Sequence, residues 1–135
     1  MPVVTPVTDP ETLRALTTRL TSIQEACREY VTQGEGARKV TFASIRIAAD
    51  AVAALVEDAP GAEEVREGVN AIHAAVDELA ARYGGDEPGL CRVCATQLQE
   101  VPLGGSGRLA YCTRCPTPIL EAVRSISALT GVDTL

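Results

Sequence analysis

Four cysteines fall into two identical spacings, Cys91-Arg92-Val93-Cys94 and Cys112-Thr113-Arg114-Cys115, separated by residues 95–111. Two residues between cysteines let one tight turn aim both thiolates at a single ion. Two such turns complete a tetrahedron of sulfurs about 2.3 Å from a metal. The spacing predicts a structural site with Zn2+ as cofactor and Cys91, Cys94, Cys112 and Cys115 as ligands. A rubredoxin-like iron site draws on the same ligand set. Two disulfides are the competing outcome. Residues 1–10 carry neither a positive n-region nor an apolar h-region, so the expected compartment is a reducing cytoplasm, in which thiols persist. Four thiolates also fill the coordination shell and leave no position for a water, which removes hydrolysis at this metal from the expected chemistry.

Other reactive groups are sparse. Cys27 lies on an apolar helical stripe and is expected to be a buried core thiol. The single imidazole, His73, borders another such stripe and is expected at a helix surface or interface. A zinc deaminase needs H-x-E, and here the run is His73-Ala74-Ala75. Gly104-Gly105-Ser106-Gly107-Arg108 lacks the Lys-Ser/Thr of a phosphate-binding loop and reads as a hairpin tip. No catalytic residue is assigned, and the expectation is a non-enzymatic protein without a small-molecule substrate.

The segment that must position the four thiols is poor in apolar side chains. Leu90, Val93, Leu98, Val101, Leu103, Leu109 and Tyr111 are too few to organise it by burial alone. A bound zinc contributes about 10–16 kcal/mol to folding in such modules. Leu109-Ala110-Tyr111 reads as the returning strand of a hairpin. Pro118 then opens an amphipathic helix through Ile119, Val123, Ile126 and Leu129, with Thr117 as its expected N-cap and Gly131 as its stop. Two CxxC pairs, a hairpin between them and a helix after the second resemble a zinc ribbon or treble-clef finger. The resemblance is confined to about residues 88–130.

Ahead of this module, three stripes repeat in steps of 3 and 4. They run through Leu13, Leu16, Leu20, Ile23, Cys27 and Tyr30, through Phe42, Ile45, Ala49, Val52 and Val56, and through Val65, Val69, Ile72, Val76, Leu79 and Tyr83. Thr8 and Glu11 have capping-box spacing at the first start. Turns are expected at Gln33-Gly34-Glu35-Gly36 and Asp58-Ala59-Pro60-Gly61. Ile47, Ala48, Ala53 and Leu55 widen the second apolar face, which predicts that this helix is the most buried. The fold class is therefore mainly α: an antiparallel three-helix bundle over residues 1–87 and a zinc-binding module with a C-terminal helix over residues 88–135. The Ala-rich helices leave an apolar face to be covered by a fourth element or by a second copy, and a homodimer is the favoured partner arrangement.

Twelve basic residues against 18 acidic give a net charge of −6. With only three Tyr, one Phe and no Trp, base-stacking surfaces have little to be built from. The chain reads as an interaction or regulatory protein that docks a protein partner. A nucleic-acid-associated zinc-ribbon factor is the alternative, carried by Arg92, Arg108 and Arg114 in the one segment that is not net acidic. The longest apolar run, residues 51–56, is too short to cross a membrane.

Overall fold

A computed structural model describes residues 9–103, 105 and 107–132. These form α1 (Pro10–Glu29), α2 (Glu35–Leu55), α3 (Ala62–Ala80), the strands β1 (Gln99–Pro102) and β2 (Arg108–Tyr111), and α4 (Thr117–Thr130). A single turn of 3-10 helix, Tyr30–Thr32, follows α1.

The start of α1 is capped by Asp9, whose carboxylate accepts from the Thr12 N–H at 3.1 Å. Thr8, the expected cap, lies outside the described residues. The turn after α1 is shorter than the glycines suggest. Only Gln33 and Gly34 separate the 3-10 turn from α2, and Gly36 lies inside the helix. The loop before α3 ends at Gly61, whose φ of 84° is left-handed and open to glycine without strain. Gly131 ends α4 the same way at φ 78°. Thr117 is the first helical residue of α4, not its cap; Pro116 occupies the cap position, where its fixed φ already suits a helix entry.

All three stripes face one interior. Leu16, Leu20 and Ile23 of α1, Ile45 and Val52 of α2, and Val65, Ile72 and Val76 of α3 are buried there, each large aliphatic contributing about 1.5–3 kcal/mol. The fourth wall is α4, which brings Ile119, Val123 and Ile126 to the same core. Neighbours run in the order α1, α2, α3, α4, and α4 returns to α1. Pro118 at the start of α4 lies beside Leu79 near the end of α3, while Ile126 lies against Gly68, so these two helices are antiparallel. At Gly68 an added Cβ would come within 2.8 Å of Ile126 Cγ1; the glycine lets α3 and α4 approach closely.

The apolar periodicity overshoots in three places. Tyr83, the expected end of the third stripe, lies beyond α3 and is 65% exposed, its hydroxyl donating to Asp86 at 2.5 Å. Ile47 and Leu55 point outward, at 63% and 36% exposure. Ala48 and Ala53 do widen the inner face of α2. α2 packs against α1 on one side and α3 on the other, and Ile47 and Leu55 fall outside the faces these contacts bury.

The cysteine segment sits on one end of this ring and shares its core, since Cys91, Val93, Cys112 and Cys115 belong to the same buried cluster as the helical residues. Backbone bonds fasten it: the Arg92 N–H donates to Val31 O at 2.9 Å, and the Gly84 N–H to Arg92 O at 2.7 Å. Arg38, 5% exposed, donates from its guanidinium to the Arg92 and Gln33 carbonyls at 3.1 and 3.4 Å, so a buried cation joins α2 to both turns. At Gly84 a Cβ would meet Ala95 N and Cys91 O at 2.7 Å and Val93 C at 2.9 Å. All three are backbone atoms, so nothing can rotate aside. Gly84→Ala is expected to cost about 1–2 kcal/mol, measured as a lower denaturation midpoint.

Candidate metal centre

Each half of the site is a short backbone turn closed on its own sulfur. In the first, Leu90 bridges to Gln97, the Cys91 N–H donates to Thr96 O at 2.8 Å, and the Ala95 N–H donates to Cys91 O at 2.9 Å. The chain turns back through Ala95, whose φ of 61° is the only positive value at a non-glycine residue among those described. That conformation is disfavoured for a residue with a Cβ. It stands directly after the second cysteine, where the turn must reverse to point both sulfurs inward. The Val93 N–H donates to Cys91 Sγ at 3.5 Å. In the second half the Arg114 N–H makes the matching bond to Cys112 Sγ at 3.4 Å, and Cys115 stands two residues before α4. A helix N-terminus favours negative charge on adjacent sulfurs.

The hairpin brings the halves together. Its register pairs Gln99 with Tyr111 and Pro102 with Arg108, which returns the chain from Cys94 to Cys112. The expected strand Leu109-Ala110-Tyr111 lies within β2. Gly104 and Ser106 of the hairpin tip lie outside the described residues.

The four sulfurs lie within 4.8 Å of one another. Cys91 to Cys115 and Cys94 to Cys112 are each 3.6 Å, and Cys112 to Cys115 is 3.7 Å. A tetrahedron with sulfurs about 2.3 Å from its centre has edges of about 3.8 Å. No pair is joined as a disulfide. The cluster can therefore hold a metal ion, and a donor set of four soft thiols suits a thiophilic one. Cys91 is buried completely, Cys112 and Cys115 nearly so, and Cys94 is partly buried.

Protons divide unevenly over the cluster. Hydrogen bonding from Cys115, opposed by burial and aided by the Cys94 and Val93 N–H groups, draws the Cys91 thiol down to about 5. Its bond to Cys91 and its own burial push Cys115 up, and burial raises Cys112.

One contact into the site has no sequence signature. The hydroxyl of Tyr30, a residue with no exposed surface, lies 3.0 Å from Cys115 Sγ. Burial first, and then this bond, hold Tyr30 protonated well above the ordinary tyrosine range. With Cys115 as a thiolate ligand, the O–H must be the donor. The apolar stripe places Tyr30 inward, but only the fold shows that its polar end meets the sulfurs. Arg38, Gly84 and Ala95 are likewise supports that spacing does not reveal.

Cys27 is 2% exposed, and burial raises its thiol to about 12. At about pH 8 its thiolate fraction is about one in ten thousand. Cys27 in the folded protein should therefore react with a thiol reagent thousands of times more slowly than free cysteine, and at the ordinary rate once unfolded. His73, on α3, reaches across to α2. Its Nδ1 accepts from Arg46 at 3.2 Å, so its Nε2 carries the proton and donates to Asp50 at 2.7 Å. Arg46 also pairs with Asp77. Cys27 and His73 thus stand in separate environments, each with its own partners.

The arginines named for nucleic acid differ in their partners. Arg92 pairs with Asp86 at 3.1 Å and Arg108 with Glu100 at 3.4 Å, while Arg114 borders a groove beside Cys94 and Cys115. Among the described residues no helix is long and apolar enough to cross a membrane. Comparison of the chain with protein-family models, with curated proteins and with solved structures finds no match.

Proposed function

We propose that this protein is a zinc-stapled helical scaffold that acts by binding a protein partner and not by catalysis, with Cys91, Cys94, Cys112 and Cys115 holding one Zn2+. The observation that carries the reading is the convergence of four sulfurs within 4.8 Å, three of their separations being 3.6–3.7 Å, close to the edge length of a zinc tetrathiolate. Zinc is favoured over iron because such a site here organises a segment short of apolar residues, a task that needs no redox change. The position of the cluster supports a structural role. It joins the ends of α1 and α3 to the start of α4 through Tyr30, Gly84 and Cys115, so the ion would lock the register of the ring. A shell filled by four thiolates has no vacancy for substrate.

Self-association is the partner mode we favour. Val40 and Ile47, seven residues apart on α2, are 68% and 63% exposed, and lie on an outward helical stripe that a second copy could cover. Metal analysis of protein purified without added metal, combined with light scattering, tests both parts. One zinc per chain and twice the chain mass support the reading. Iron in its place overturns the zinc assignment, and a monomer at high concentration overturns self-association.

A further inference from the structure

A cavity of about 450 Å3 lies between α1, the hairpin and the start of α4. That volume is within the range of small-ligand pockets. Its apolar lining includes Val101, Leu109, Tyr111 and Leu120, and two arginines, Arg28 from α1 and Arg124 from α4, line it too. The chain has 18 acidic residues, yet none lines this cavity. Arg46, Arg92 and Arg108 are each held by a carboxylate. Arg28 and Arg124 are among the arginines without a hydrogen bond or ion pair among the described residues, to cysteine sulfur included, and both are exposed. A cavity with aliphatic walls, two uncommitted cations and no carboxylate is complementary to a ligand that carries the missing charge on an apolar body.

We propose that this cavity binds a medium-chain aliphatic carboxylate, its chain against Val101, Leu109 and Leu120 and its carboxylate on Arg28 and Arg124. Gln24, on the same helix as Arg28, lines the cavity too and supplies a further amide donor. The site goes beyond the scaffold reading and does not require a partner protein. Cys112 forms part of the wall, so the test is made on metal-loaded full-length chain whose zinc content and amide spectrum are recorded alongside.

Sodium octanoate is titrated into that protein and followed by amide chemical shifts, with octan-1-ol as the uncharged probe of equal length. Expected are saturable shifts at Arg28, Val101, Tyr111 and Leu120, with octan-1-ol at least tenfold weaker, about the value of one charge-assisted hydrogen bond. Arg28→Gln and Arg124→Gln, both at exposed side chains, should each weaken octanoate by about tenfold and leave zinc content unchanged. Val101→Trp, on an exposed strand, should fill the cavity and abolish binding. Equal affinity for octanol and octanoate, or shifts elsewhere, overturns the proposal. So does a pair of arginine variants that lose zinc affinity while octanoate binding stays the same, since the guanidiniums would then serve to offset the charge of the thiolates. Failure of octanoate to bind zinc-loaded, folded protein removes the pocket and leaves the metal reading standing.

Discussion

Cys91→Ser is expected to reduce metal retention from one ion per chain to almost none at micromolar concentrations and to lower the melting temperature by about 10 °C or more. The side chain is fully buried and its sulfur is 3.6 Å from Cys115, so serine keeps most of the volume and removes a ligand. Zinc contributes about 10–16 kcal/mol in small modules that fold only with metal. Here part of the segment is also held by the bonds from Arg92 to Val31 and from Gly84 to Arg92, so the loss should be smaller, about 3 kcal/mol or more. Hydrogen exchange gives the loss a location: amides of residues 88–116 should lose protection while those of α1 to α3 keep it. Cys27→Ala, at a buried cysteine outside the cluster, should leave the metal content unchanged. Equal melting temperatures for Cys91→Ser and the parent protein would show that the cluster holds nothing that matters to the fold.

Tyr30→Phe should weaken zinc binding by about 10–100-fold, the range found when a partner of a metal ligand is removed. It should also cost about 2–3 kcal/mol of stability in the loaded protein. The ring stays in place, packed against Phe42 with centroids 5.1 Å apart, so only the hydroxyl is lost. Four thiolates around a divalent ion carry 2 − 4 = −2, and a donor 3.0 Å from Cys115 Sγ offsets part of that charge in a buried setting. A merely structural role for the hydroxyl predicts an equal loss of stability with and without metal. The donor role predicts that most of the loss disappears in chelator, where Cys115 is free to protonate. Comparing the two melts separates them.

The four-cysteine cluster could be read from spacing alone, because two CxxC turns and a hairpin leave the sulfurs little choice but to converge. The helices were legible for a similar reason: Leu16, Leu20 and Ile23 keep a 3.6-residue period that no strand can use. What the pattern could not supply was the number of walls around the core. Ile47 and Leu55 continue the apolar pattern of α2, yet both lie outside the faces that α1 and α3 cover. Tyr83 continues a period of apolar residues, but the helix ends at Ala80, and the exposed ring lies with its centroid 5.7 Å from the buried Arg38 guanidinium. Gly84 and Ala95 carry no periodic signal, since their roles come from a backbone approach and a positive φ that arise only when the turn packs on the bundle. The boundary between helical and cysteine-bearing segments shows in composition, yet the buried cluster runs across it through Tyr30, Val31, Cys91 and Cys115.

X-ray absorption at the metal edge of purified full-length protein bears on the four-thiolate staple most directly. The expected spectrum is that of zinc with four sulfurs at about 2.3 Å and no nitrogen or oxygen in the shell. A mixed shell, or metal-free protein in which residues 88–116 are fully protected from exchange, contradicts it.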